Sequence, residues 1–548
     1  MQTRRQFSGV VTAPPRCGND AVLRGDAGRL GSAWGRHAVI ALAVCFILNC
    51  AVGYQAWASL RVAGFDLGIF DQGMRAYAHL GLPVSPIKNY HHEFPEGFSL
   101  LGDHLSPVLA LLAPLYWIWD DPRTLIIAQS ALFASGVPLV RRIAQHCLRE
   151  ASAIPPRAMV NVIGYLYALG WPLLNASGTG FHEVAFAVPF ALCMLERGLA
   201  GRHGAAASFA VLLSLTKEDL GLVAGAFGVV LLLRSRRRAD RRGTYAGAAI
   251  TVVCPAISVL AIKVLIPWMG GPPGYYWSYG RIGADFPDMV VRAVTEPWVL
   301  LQVATAPFIK VLLIIWLLGT LAFLPLGSPT VLLAVPLIAE RVLSDNPNHW
   351  PAINHYDAFL WPILLTAAVE TFSKVLGPGH RRRRPVKWLI ATVAAAGIAA
   401  SLSVGGLIGL FMPSGWNLSP EKKALLQAAD QVPDGAFIEA DNNIAPRLTP
   451  RTKTVIVDLH PRGAEYVLIR TTGRIFPFAS PDQQRERVSL LLHHGYRSAW
   501  ERDGVYLLRR TGASDGDIPG SRTPEVWAGA GLAKDAPPDD VGISLFGR

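Results

Sequence analysis

Five short stretches of this chain carry side chains able to do chemistry together. "GFDLGIFDQGMRAYAHLG" (64–81) holds Asp66 and Asp71, "GDHLSP" holds Asp103 and His104, and "FHE" holds His182 and Glu183. "TKEDLG" holds Lys217, Glu218 and Asp219, and "NHYD" holds His355, Tyr356 and Asp357. A fixed carboxylate can take a proton from a hydroxyl group. A histidine beside a carboxylate can trade a proton or bind a divalent metal, with Asp66, His182 and Glu183 as the ligand set. A lysine at a tight polar turn can meet a phosphate as a point charge.

Each stretch also has a plainer reading. Asp66 stands just before a segment of helical pattern, where a carboxylate caps the free backbone N–H groups; capping and base chemistry are compatible. Asp71 lies about 140° around that helix from Asp66, and four residues before Arg75, the spacing of an intrahelical ion pair. Lys217 can pair with Glu218 or Asp219. "PGYYWSYGRIG" (273–283) sets aromatic rings beside Arg281, which suits an interfacial belt or a cradle for a sugar or phosphate. His355, Tyr356 and Asp357 either cap the span that follows or close the site. His91 and His92, in "NYHHEFPEG", read as part of a flexible loop.

The elements that must position these residues are membrane helices. Of 548 residues, 51% are hydrophobic and only 16% charged, and the mean hydropathy is +0.32. Apolar runs long enough to cross a bilayer recur from residue 38 to residue 411. The net charge of +12 comes from basic clusters between those runs, such as "RSRRRADRR" and "HRRRRPVK". These clusters set orientation and give no reason to expect a nucleic-acid partner. The six cysteines show no paired spacing, so no disulfide framework or zinc site is implied. The run 38–53 followed by "AWAS" also fits a signal peptide, but 37 residues precede it, and it is taken as an uncleaved first helix.

Placing every basic cluster inside requires an even number of crossings between them. The basic tail 1–37 starts inside and span 38–58 exits to a first external loop, 61–123. Within that loop, 104–119 holds Pro107 and Pro114 and is read as an interfacial or re-entrant helix. Spans then follow at 124–140, 159–175, 184–200, two arms within 204–233, 246–266, 304–323, 329–343, 357–373 and 387–411. This predicts about eleven spanning helices over 38–411 in a mainly α, multi-pass membrane protein. All five reactive stretches then emerge on the external face, where clustered ionisable residues beside hydrocarbon point to a functional site.

Residues 417–510 read as an external α/β domain. "EKKALLQAADQVP" and "PDQQRERVSLLLHHG" have helical spacing, "GAFIEA", "KTVIV" and "AEYVLIR" are strand-like, and "YRSAWERDGVYLLRR" reads as a hairpin around Asp503-Gly504. The tail 511–548, rich in Gly, Pro and Asp, reads as disordered.

"FDLGIFDQ", "GDHLSPVLALLAPLY", "FHEVAFAVP", "LTKEDLGL", "SPTVLLAVPLIAERVLS", "HYDAFLWPIL" and "ADNNIAPRLTPRTKTVIVD" together resemble the bacterial membrane family known as domain of unknown function 2079, over roughly residues 60–510. The layout of that family is similar to the GT-C glycosyltransferases. The resemblance implies transfer of a sugar from a polyprenyl-phosphate donor to a cell-envelope glycan, lipid or protein acceptor. Asp66 occupies the position of the acidic residue after the first helix; Leu67 follows it where many relatives carry a second acid. On this reading Asp66 takes the acceptor proton. Asp103, His104, His182 and Glu183 orient the acceptor or hold a divalent cation, Mg or Mn. Lys217 with Glu218, Arg281, His355 and Tyr356 binds the substrate and its phosphate. The alternatives are a transporter or flippase, which would carry ionisable residues in mid-span and internal repeats, and a non-catalytic scaffold with an external binding domain.

Overall fold

The computed structural model describes residues 35–149, 156–272, 274, 277–376, 383–512 and 518–523. Most of the basic tail 1–37, the first part of the "HRRRR" cluster, Tyr275 and Tyr276, and most of the tail 511–548 lie outside them.

The described chain is mainly helical, with one small sheet near its C-terminus. Helix α1 (Arg36–Ala58) ends at a loop, and a π-helical turn (Gly64–Gly68) leads into α2 (Ile69–Ala78) and α3 (Pro86–His92). Next come α4 (Arg123–Cys147), α5 (Pro156–Ala168), α6 (Trp171–Gly178), α7 (Ala187–Leu199), α8 (His203–Ser214), α9 (Leu220–Arg237) and α10 (Arg241–Leu260). After a long connection with α11 (Phe286–Thr295), α12 (Pro297–Thr305) and α13 (Ile309–Gly319), the helices α14 (Val335–Leu343), α15 (Leu360–Val375) and α16 (Arg383–Ser403) complete the bundle. Their apolar faces form one continuous core, with Tyr167, Trp171, Phe181 and Leu360 among its fully buried side chains.

The expected count of eleven spans is not matched by eleven long helices. Among the described residues, Arg36–Ala58, Arg123–Cys147 and Arg241–Trp268 are long and apolar enough to cross; α12 and α13, bent by 76°, would make a fourth as one broken span. Prolines and glycines cut the other apolar runs. The run 159–175 breaks between α5 and α6, just before Pro172, and 329–343 opens as a 3-10 turn (Pro329–Ala334). A 13-residue helix such as α7 rises only about 20 Å, short of the roughly 30 Å hydrocarbon layer. Segment 104–119 is shorter still, a 3-10 turn (Pro107–Leu112) running into Ala113–Tyr116.

The C-terminal α/β unit follows the predicted segments. Helix α17 (Pro420–Ala429) leads to strands β1 (Phe437–Ala440), β2 (Lys453–Ile456) and β3 (Tyr466–Arg470), then α18 (Pro481–His493) and the hairpin β4 (Tyr496–Arg502) and β5 (Val505–Arg510). The sheet order is β2-β1-β3-β5-β4, with β1 parallel to both neighbours and β5 antiparallel to β3 and β4. At the hairpin turn Asp503 and Gly504 both adopt positive φ, as the Asp-Gly pair demands.

This unit shares a core with the loop after α1. Leu60, Ile69, Ile87 and Leu100 pack with Leu425, Ile438, Ile444 and Leu468. His91 and His92 belong to this junction: they lie in α3 rather than in a flexible loop, against Phe65 and, for His91, Phe476. His91 Nδ1 lies 3.6 Å from Asp458. An aromatic pocket supplied from the distant unit orders a stretch that looks like a polar loop in isolation.

Candidate functional site

Asp66 sits in the π-helical turn and does not cap a helix: the cap position of α2 is Gly68, which makes no side-chain bond. The turn is gripped by the α/β unit. Gly64 N–H donates to the Asn442 carbonyl at 2.6 Å and Phe65 N–H to Asn442 Oδ1 at 2.9 Å. A side chain at Gly64 would put its Cβ 2.7 Å from that of Ala445, so only glycine allows this approach. Gln72 and Arg75 of α2 donate to the carbonyls of Thr454 and Thr449. Asp71 takes the structural role its spacing suggests, paired with Arg75 at 3.0 Å and accepting from the Tyr116 hydroxyl at 2.9 Å.

The loop "GTGFHE" between α6 and α7 folds onto this turn. Gly180 adopts φ +112°, and a Cβ there would sit 3.3 Å from Leu67. Gln129 of α4 clamps the loop from below, donating to the Gly180 carbonyl at 2.7 Å and accepting from the His182 N–H at 3.2 Å. His182 Nε2 is thereby held 3.7 Å from Asp66 Oδ1. The opposite side of the site comes from the loop before α15. The His355 ring stacks on His182 at 3.5 Å, and Tyr356 lies against His355 at 4.3 Å and His349 at 5.3 Å. Asp357 is fully buried in an ion pair with Arg341 of α14, which also donates to the carbonyls of His349 and Pro351. Asp357 therefore holds the loop that carries His355.

Glu218 accepts from His104 Nδ1 at 2.7 Å and from the Leu105 N–H at 3.2 Å, joining the second and fourth reactive stretches. Lys217 lies 3.5 Å from Asp219, and Asp219 in turn hydrogen-bonds Glu340 of α14. Asp103 pairs with Lys88 at 3.0 Å, and the Lys88 ammonium lies 5.6 Å from the Phe65 ring beside Asp66. Arg281 is not brought in: it pairs with Asp345 at 3.5 Å and is more than half exposed.

The electrostatics set distinct roles. The Asp66 side chain is 39% exposed, yet it faces a recess walled by protein. That enclosure, followed by the negative charge of Glu183, raises its pKa to about 7. Burial, then Lys217 and His104, lower His182 to about 3, so the imidazole stays neutral beside Asp66. Burial would also lower His104, but Glu218 overrides it and lifts His104 to about 9; Glu218 is held anionic in return. Lys217 is likewise kept cationic despite burial, by Asp219 and Glu340 and then by Glu218 and Glu183. The recess thus holds a carboxyl group poised near neutrality, neutral imidazoles, and two cations fixed by carboxylates. The chain belongs to the DUF2079 family. The family model, described as a predicted membrane protein, matches residues 56–507, and that range contains every residue of this recess. No curated protein matches the chain.

The residues do not form a divalent-ion site as they stand in this DUF2079 member. Asp66 and His182 approach each other, but His182 has one face on His355, and Glu183 acts on Asp66 only as a nearby charge. Among the described residues no three His, Cys, Asp or Glu side chains are gathered to hold a metal. Sequence reading missed Gln129, Glu340 and Arg341, which sit within apolar runs. The signal that marks them is a polar side chain in mid-helix, which must find a partner when buried.

Proposed function

We propose that this DUF2079 protein is a membrane glycosyltransferase that moves a sugar from a polyprenyl-phosphate donor to a cell-envelope acceptor at the external face of the inner membrane. The observation that carries the reading is Asp66, poised near neutral pH in a recess and held beside neutral His182. A general base works best when its pKa lies near the working pH.

In the proposed reaction the acceptor hydroxyl gives its proton to Asp66 as its oxygen attacks the anomeric carbon. The bond from that carbon to the phosphate oxygen breaks, and its electron pair leaves on polyprenyl phosphate. Lys217 and protonated His104, each held cationic by neighbouring carboxylates, would supply the positive charge that offsets the leaving group. His182 and His355 orient the acceptor. A divalent ion, Mg or Mn, if bound, would be held by Asp66, His182 and Glu183 and would supply further positive charge beside the leaving phosphate. The topology belongs to the same proposal: eleven crossings, some by broken helices, with the N-terminus cytoplasmic and the α/β unit external. The basic clusters support that orientation.

The test is purified full-length protein in lipid, incubated with polyprenyl-phosphate sugars and scored for release of polyprenyl phosphate together with a glycosylated acceptor. Coupled release supports transfer. No turnover with any donor, alongside movement of an intact labelled lipid between leaflets, would favour a flippase instead.

A further inference from the structure

A second polar cavity, of about 230 Å³, lies at the seam where the α/β unit meets the ends of α1 and α4. No residue of the Asp66 recess lines it. Its walls include Trp57, Asp121, Arg123, Asp430, Arg447 and Arg451. Arg123 is matched by Asp121, at 2.8 Å and 2.7 Å. Arg451 is matched by the Ala429 carbonyl at 2.6 Å and Asp434 at 3.0 Å.

Arg447 differs. Its guanidinium lies 4.7 Å from the Trp57 ring and donates to the Trp57 carbonyl at 3.1 Å, but among the described residues no carboxylate pairs with it in the way Asp121 pairs with Arg123. Its Nε is buried and makes no hydrogen bond among the described residues. The Arg123 guanidinium lies 5.8 Å from the same ring, and burial together with Arg123 disfavours the Arg447 charge, only partly offset by Tyr54, Asp121 and Asp430. A half-buried guanidinium whose Nε is shut off from solvent is a costly feature unless an anion completes it. Next to the cavity, Trp117 and Ile118 are exposed, and Trp119 lies 4.9 Å from Arg123. Exposed tryptophans at the end of a membrane helix mark the level of lipid headgroups.

We propose that this seam cavity binds a phosphate group through Arg447, with Arg123 as the second cation, and that a membrane lipid headgroup presents the phosphate. The planar guanidinium, held over the Trp57 ring at 4.7 Å, suits the paired oxygens of a phosphate. The bound headgroup would fasten the segment 441–451 to α1, and the same segment, through Asn442, grips the turn that carries Asp66. The inference does not depend on the glycosyltransferase reading.

The experiment is thermal unfolding of the purified full chain in neutral, phosphate-free detergent, titrated in separate arms with inorganic phosphate and with phosphatidylglycerol in mixed micelles. The expected result is a rise in Tm with phosphatidylglycerol, with the half-saturating concentration about tenfold higher in Arg447→Gln, the loss of one charge-assisted hydrogen bond. Arg447→Lys, which keeps the charge and the fold, should fall between, and Arg123→Gln should weaken binding without abolishing it. Stabilisation by inorganic phosphate alone, dependent on Arg447, would overturn the lipid source. Stabilisation in either arm that is the same in all three variants as in the wild type would overturn the site.

Discussion

Replacing Glu183 with glutamine removes one negative charge beside Asp66 while keeping the size of the side chain. The ordinary value of an aspartate is 3.8, and in the recess Asp66 is raised to about 7, first by burial and second by Glu183. Glu183 therefore contributes to that rise, but less than burial does. Asp66 must be ionised to accept a proton, so turnover is lost as pH falls through its pKa. In Glu183→Gln the acid limb of the kcat/KM profile is expected to move down from about 7 while staying above the ordinary aspartate value of 3.8, because burial remains. The assay is sugar transfer in buffered steps from pH 4.5 to pH 8.5 (about half-unit intervals resolve such a shift). The position of the limb is read independently of the plateau, so a lower maximal rate does not obscure it. An acid limb that stays at about 7, or moves upward, would refute the claim that Glu183 acts on Asp66 through its charge.

At the alkaline end, the wild-type profile should fall near pH 9 as His104 loses its proton, and His104→Gln should remove that limb in the same transfer assay. Arg341→Ala leaves Asp357 buried without its partner and is expected to cost about 3 kcal/mol of stability, seen as a lower Tm in detergent. Gly64→Val forces a side chain against Ala445 and should displace the turn that carries Asp66 at a cost of about 1–3 kcal/mol, read as lost transfer in protein that still elutes as a folded species. Gln129→Leu strips the clamp from the His182 loop and should reduce kcat more than it raises KM, with a stability loss of about 1–3 kcal/mol.

The C-terminal sheet unit was legible because its strands and helices are short, strongly patterned and punctuated by Gly, Pro and Asp-Gly. The hairpin at Asp503-Gly504 and the helix after Ser480 follow directly from those signals. The membrane part was legible as helical but not as a set of uniform spans. Apolar composition runs through Pro172, Pro307 and Pro329, whereas the backbone hydrogen bonds do not.

The structure brings the five stretches together: 66, 182 and 355 by contact, 104 and 218 by a hydrogen bond, and the two groups through the charges of His104 and Lys217 acting on His182. Local sequence cannot show that Asp103 spends its charge on Lys88, or that Arg281 belongs to Asp345. Those pairings depend on which loops approach each other. Nor does spacing reveal that His91 and His92 are buried by Phe65 and a strand unit more than 300 residues away in sequence, a separation readable from the numbering of Phe476 and Asp458.

The most direct measurement is single-turnover sugar transfer by Asp66→Asn beside the wild type, in protein matched for folding and at pH 8, where wild-type Asp66 is ionised. Removing a general base of this kind is predicted to slow the chemical step by about 100-fold to 10,000-fold with donor still bound. Transfer at the wild-type rate in Asp66→Asn would contradict the account.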